Sequence, residues 1–265
     1  MMTFLYFLVT IGFTVGMYLK FPNVYLILPF LIGGLIVAFL FIILLIILML
    51  PIMKYTSYTN KFKLYVTKSV SYLVNKVFLG IDIEIIGKEN LTKDNILTAY
   101  ANHKSYIDPL IIMAVAHRPI AFTPKTGVYK IPVINKWMKY LGSMPIDRSS
   151  NRNTAQNMVN AIKNVKNGLM LTIFPEGGIK TRDDEKMVDM RAGAYKIAMK
   201  AGADLLPITI IGVTNVKKRA PFRRTKVKVV VHKQVRYDDI KDMQTNEVAD
   251  MMFKIINDGY EKYSH

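Results

Sequence analysis

No cysteine occurs among the 265 residues, and only four histidines do. The first absence excludes disulfides, thiolate nucleophiles and cysteine-held metals. The histidines, His103, His117, His232 and His265, form no His-x-x-x-His or His-Glu-x-x-His pair, so no protein-held metal is expected. Acidic residues are scarce: 19 Asp and Glu face 36 Lys and Arg, a formal net charge of +17. That excess calls for anionic partners. Nucleic acid, an acidic leaflet, phosphorylated metabolites and an acidic carrier protein all qualify on charge. The interleaved aromatic and basic platform of single-strand binders is missing, so nucleic acid is not an expected partner. Charge of either sign is nearly absent from the first fifty residues, where Lys20 stands alone.

That uncharged region has two parts. Residues 3–19 are almost wholly apolar, and after Lys20-Phe21-Pro22-Asn23 a second run from Val24 to Met53 carries no charge. The second exceeds the roughly 20 residues a helix needs to cross a bilayer, and the first lies near the short limit, so together they read as a transmembrane helical hairpin. No Lys or Arg precedes the first run and no Ala-x-Ala-like site follows it, so a cleaved signal peptide is not expected. Pro29, Gly33 and Gly34 suggest a kink or a close helix contact. Lys54, Lys61, Lys63, Lys68 and Lys76 follow the hairpin, which places the remainder on the cytoplasmic side of the cell membrane. Two domains are expected, 1–54 as membrane anchor and 55–265 as a cytoplasmic α/β domain. Within the latter, 60–79 reads as a basic amphipathic helix, with Phe62, Val66, Val70, Leu73 and Val77 at helical spacing. Its apolar stripe fits either an anionic leaflet or the domain itself.

Beyond Gly80 apolar runs alternate with helical patterns. Strands are expected at 81–86, 96–100, 120–123, 143–146, 169–174, 205–211 and 227–231, with helices at 154–167, 190–201 and 246–260. This succession implies a mixed, largely parallel sheet flanked by helices, with ligands at strand ends. Lys217 to Lys228 reads as a basic, solvated loop.

Four stretches carry candidate chemistry. In Asn102-His103-Lys104-Ser105-Tyr106-Ile107-Asp108-Pro109, the proline suits a first helical position, so Asp108 reads as an N-cap and His103 as part of the loop before it. If the chain turns between them, Asp108 can fix the imidazole tautomer and leave the other nitrogen as a general base; a lone histidine beside an ordinary cap is the alternative. Arg148, ending Gly142-Ser143-Met144-Pro145-Ile146-Asp147-Arg148, fits a phosphate grip, a pair with Asp147 or a plain surface site. Phe174-Pro175-Glu176-Gly177-Gly178 breaks a buried run into a carboxylate and two glycines, which suits either a close anion or a turn. Leu206-Pro207-Ile208 reads as an edge strand or bulge.

Taken together, Asn-His-x4-Asp, Gly-x3-Ile-Asp-Arg, Phe-Pro-Glu-Gly and Leu-Pro-Ile, in this order, resemble the glycerolipid acyltransferase family, over roughly residues 80–235. The resemblance implies transfer of a fatty acyl group from a thioester, acyl-CoA or acyl-[acyl-carrier-protein], to the sn-2 hydroxyl of 1-acyl-glycerol 3-phosphate, giving phosphatidic acid. It implies His103 as base, Asp108 as its orienting partner, and Arg148, Glu176 and Gly177 as substrate-binding residues, with Glu176 holding either the glycerol backbone or the base. Lys125 matches a basic position often seen in the family. The third block departs from the usual Gly-Thr-Arg, so either Lys180 or Arg182 supplies a second cation. Cofactors are not implied; lysophosphatidic acid, the acyl donor, membrane lipids and an acyl carrier protein are the implied partners. Glycerol 3-phosphate or another lysophospholipid as acceptor, and a membrane-tethered binding module without catalysis, are the rival readings.

Overall fold

The computed structural model describes residues 1–92, 95–145, 151–182 and 184–264, with 151–154 as helix backbone only. The chain forms two compact units, Met1–Thr56 and Ser57–His265. In the first, α1 (Met2–Lys20) is followed by α2 (Ile27–Leu48) and α3 (Leu50–Tyr55). Both α1 and the Val24–Tyr55 stretch are long and apolar enough to cross a membrane. Pro29 falls in the first turn of α2, where its missing N–H is not needed, so no kink results. The glycines instead bring α1 close: a Cβ on Gly34 would lie 2.7 Å from the Thr10 carbonyl oxygen, and one on Gly33 3.1 Å from the Phe13 ring.

The second unit is built on six strands: β1 (Ile81–Ile86), β2 (Leu97–Ala101), β3 (Ile120–Phe122), β4 (Met170–Ile173), β5 (Asp204–Ile211) and β6 (Thr225–Val231). Their order is β1-β6-β5-β2-β4-β3, with every pair parallel except β5 and β6. The helices are α4 (Lys61–Tyr72), α5 (Asp108–Val115), α6 (Ile134–Tyr140), α7 (Asn151–Lys166), α8 (Lys196–Ala201), α9 (Val216–Arg219), α10 (Tyr237–Ile240) and α11 (Thr245–Tyr263). Strand alternation sends Leu97, Ala99 and Ala101 to one core with Ile111 and Ile112 of α5, and Tyr100 to a second core with Val165 of α7 and Met252 of α11. Burial on both faces explains why these strands read as continuous apolar runs. The sheet is thus mixed, mainly parallel and flanked by helices, and β2, β3 and β4 all end on one edge.

Several local expectations change. The 60–79 segment is α4 continued by a π-helical turn, Leu73–Phe78, and its stripe covers the domain, since Val66 and Leu73 are buried. Lys63 also turns inward; its ammonium donates to the Tyr140 carbonyl at 2.6 Å, and burial lowers its pKa to about 8. Ser143–Pro145 forms no strand: Phe122 N–H donates to Ser143 Oγ and Met144 N–H to Phe122 O, two bonds without a ladder. Ile146, Asp147 and Arg148 lie outside the described residues. The helix expected over 190–201 contracts to a 3-10 turn, Ala192–Tyr195, and α8, because Arg191 is extended and donates to Pro175 O. Of the two places expected for Pro207, an edge or a bulge, the structure shows the second: it sits in a central strand, where the Ile208↔Val231 and Leu205↔Val235 pairings differ by one residue, so a bulge opposes its missing N–H.

Candidate active site

The corner after β2 begins with a side chain imitating a strand. Asn102 Nδ2 donates to Ile210 O and its Oδ1 accepts from Ile210 N–H, both at 2.8 Å, adding one rung to the β2–β5 ladder. The chain leaves the sheet at His103. Its ring stacks on Phe174 with centroids 4.3 Å apart and planes 23° from parallel. Nδ1 lies 2.9 Å from Asp108 Oδ2. A carboxylate only accepts, so Nδ1 carries the proton and Nε2 presents its lone pair. The His103 side chain keeps 16% of its surface exposed, and among the described residues no hydrogen bond engages Nε2.

Asp108 is the first residue of α5, not its N-cap. Its carboxylate turns back on the preceding loop instead: Oδ2 also accepts from Lys104 N–H and Ser105 N–H at 2.8 Å each. Three donors thus converge on one carboxylate oxygen beside a helix N-terminus. Oδ1 is buried, with no hydrogen-bond partner among the described residues.

Glu176 comes from the loop after β4 and has no exposed surface. Its Oε1 accepts from His103 N–H at 2.8 Å and its Oε2 from the Lys104 ammonium at 3.1 Å. Burial pushes the Glu176 carboxyl up, while the His103 amide and Lys104 pull it back. Its carboxylate thus bridges the His103 amide and the Lys104 ammonium, whose buried charge needs a partner.

Gly177 closes a turn at φ 70°, its N–H donating to Phe174 O at 3.0 Å. A Cβ on Gly178 would sit 2.8 Å from Lys125 Nζ, so the Lys125 ammonium lies across this loop. Of the two rival cations, Lys180 pairs with Asp189 at 3.5 Å, and Arg182 lies 5.4 Å over the ring of Tyr106, two residues before Asp108. Five of the expected site residues with described positions, His103, Asp108, Glu176, Gly177 and Lys125, thus belong to interlocking loops at one edge of the sheet, and Arg182 joins them through Tyr106. Arg148 lies outside the described residues.

Three residues escaped sequence reasoning. Asn102 enters the sequence reading as part of the Asn-His-x4-Asp block with no role of its own, and Lys104 carries no separate signal. Glu185 gives no motif signal, yet its carboxylate accepts from Gly212 N–H, from Thr214 N–H at 2.7 Å and from Thr214 Oγ1 at 2.8 Å, while its carbonyl accepts from Asn102 at 2.8 Å. It ties the loop after β5 to the histidine corner. A buried residue of this kind is visible only once the partner amides converge. Among the described residues no three of His, Cys, Asp and Glu group to hold a metal. The corner presents an imidazole with a fixed tautomer, beside cations that suit an anionic ligand.

A family model described as Acyltransferase matches residues 82–211. A chloroplastic 1-acyl-sn-glycerol-3-phosphate acyltransferase of Brassica napus is 28% identical over 79% of this chain and 63% of its own length. A probable 1-acyl-sn-glycerol-3-phosphate acyltransferase of Mycoplasma pneumoniae is 26% identical over 84% of this chain and 89% of its own. The chain spans less than two thirds of the plant relative. The crystal structure of the 1-acyl-sn-glycerophosphate (LPA) acyltransferase from Thermotoga maritima superposes with a TM-score of 0.61 at 25% identity, covering 83% of this chain and 95% of that one.

Proposed function

We propose, from the match of residues 82–211 to the Acyltransferase family model, that the chain transfers a fatty acyl group from a thioester to the sn-2 hydroxyl of 1-acyl-glycerol 3-phosphate, giving phosphatidic acid. The observation that carries this reading is the 2.9 Å contact between His103 Nδ1 and Asp108 Oδ2, which leaves Nε2 for an incoming hydroxyl. The acceptor oxygen attacks the acyl carbonyl as Nε2 takes its proton. Asp108 stabilises the imidazolium so formed, as the aspartate does in a Ser-His-Asp triad, with the substrate oxygen in place of serine. Collapse of the tetrahedral adduct expels the thiolate, which recovers the proton from His103. No acyl-enzyme is required.

Glu176 and Lys104 hold the backbone of the base, and Gly177 shapes the loop that brings Lys125 across. Lys125, Arg182 and Arg148 bind the acceptor phosphate. The donor is acyl-CoA or an acyl carrier protein, either of which carries the negative charge that a basic chain attracts. Residues 1–54 anchor the protein in the cell membrane, and 55–265 act at the cytoplasmic face, where acceptor and product both reside. Incubating purified full chain with each donor, and with 1-acyl-glycerol 3-phosphate or glycerol 3-phosphate, tests the reading by mass spectrometry. Phosphatidic acid from the lysolipid alone supports it. Product only from glycerol 3-phosphate, or none from any pair, rejects it.

A further inference from the structure

One basic stretch stands outside the reaction. Between β5 and β6 the chain runs Lys217-Lys218-Arg219-Ala220-Pro221-Phe222-Arg223-Arg224, and Phe222 is 96% exposed. Nothing in the local fold forces that exposure through disorder. Val213 and Val216 are buried beneath the loop, Arg223 N–H donates to Arg219 O at 2.8 Å, and Arg219 Nε donates to Arg224 O at 2.9 Å. The loop is held shut with its aromatic ring outward. Arg224 reaches back towards Asp82 at 3.9 Å, and among the described residues no acidic side chain pairs with the exposed Lys217, Lys218, Arg219 or Arg223. From Met190 to Arg236 the sole acidic residue is the buried Asp204.

We propose that this loop docks on an anionic bilayer surface, with Phe222 entering the headgroup boundary and the flanking Lys and Arg side chains meeting lipid phosphates. Three observations favour a bilayer over a folded partner. A single protruding ring needs a matching socket on a protein, whereas a lipid interface accommodates it anywhere. Clustered cations around an apolar side chain are the pattern that anionic leaflets attract. Finally, the loop leaves from the end of β5, next to β2 in the sheet, and Glu185 fastens its base to the histidine corner. The contact would thus set the His103 edge, with the 81% exposed Tyr106, against the lipid surface.

The test uses the full chain in vesicles of phosphatidylcholine with about one phosphatidylglycerol in three lipids. In Phe222→Trp, emission is compared with that of the parent, whose single Trp137 packs against the core. The added signal should shift to the blue and fall by at least about twofold when the acyl chains are brominated. Lys217→Glu/Lys218→Glu/Arg223→Glu in the same background, or phosphatidylcholine alone, should restore most of the lost intensity. A solvent-like, unquenched signal in anionic vesicles would overturn the proposal, as would quenching that ignores the charge reversal. Protection by an acidic carrier protein with no quenching by lipid would overturn it in favour of a protein dock. All substituted side chains are exposed, so matching unfolding midpoints should accompany each comparison. Neither readout uses acyl transfer, so the bilayer contact and the proposed reaction can fail independently.

Discussion

At the edge where β2 and β4 end, His103, Asp108, Lys104 and Glu176 bury two carboxylates and a lysine beside one imidazole. The opposite half of the sheet buries comparable groups. Arg118 donates to Asn95 O at 2.6 Å and Gly168 O at 2.9 Å, and Asp204 accepts from Asn95 Nδ2 and Tyr237 N–H at 2.8 Å each. A second histidine, His232, follows β6 at the level of the end of β2. Thr209 Oγ1 donates to Ile256 O at 2.8 Å, so His232 Nε2–H donates to Thr209 Oγ1 at 2.9 Å. The difference is in what the bonds face. Among the described residues each ring has one engaged nitrogen, but at His232 its partner is a hydroxyl inside the fold, whereas at His103 it is a buried carboxylate. Buried charge alone does not set the corner apart; a carboxylate on the imidazole does.

Exchanging the two histidines for alanine is the strongest way to break this contrast. His103→Ala is expected to lower kcat by about 10²- to 10⁴-fold with an unchanged unfolding midpoint, and His232→Ala to lower the midpoint while kcat stays within a few-fold. Steady-state rates beside thermal unfolding would read both. Equal kinetic effects would erase the distinction.

The buried Lys104–Glu176 pair sharpens it. Lys104→Met strands a carboxylate and should destabilise the fold by roughly 3–5 kcal/mol, whereas Lys104→Met/Glu176→Gln should recover much of that, since the amide oxygen still accepts from His103 N–H. Denaturant unfolding of the three proteins checks this. An additive double variant would mean that the two charges do not interact.

Arg118→Met, at the other edge, removes two bonds to backbone carbonyls. A loss of about 1–3 kcal/mol in unfolding free energy is expected with kcat unaffected, since nothing there touches the reacting atoms. The smallest effect is a pH slope. Burial, aided by Lys262, holds His232 below the ordinary value of 6.5, so as pH falls from there the unfolded chain takes up a proton that the folded one resists. Stability should therefore decline below about pH 6.5. His232→Gln should flatten that part of the unfolding-midpoint profile.

Legibility in the sequence followed the range of the forces involved. Runs such as Leu205–Ile211 and the Thr154–Asn167 helix announce themselves because periodicity and burial are local properties; both emerge as β5 and α7, within a few residues. The edge of the sheet where His103, Asp108 and Glu176 gather followed from the parallel succession. Ser143–Pro145 misled because apolar residues beside a strand need not pair with it. Pro207 left edge and bulge open because the bulge that accommodates it lies in β6 and beyond, more than twenty residues away. At the site, His103 and Asp108 were legible as a pair, since five residues and a turn suffice to bring them together. The directions of Lys104 and Glu176 were not. Charged residues default to solvent in any sequence-based reading, and only the meeting of two loops 72 residues apart makes their mutual burial affordable.

The central claim is that the charge on Asp108, not merely its shape, makes His103 the base. Asp108→Asn tests it most directly, because an amide oxygen can still accept from Nδ1–H and from the two backbone amides at 2.8 Å while the negative charge is gone. With 1-acyl-glycerol 3-phosphate saturating, kcat should fall by about 10²- to 10⁴-fold at little change in KM or in unfolding midpoint. A kcat within a few-fold of the parent would contradict the assignment.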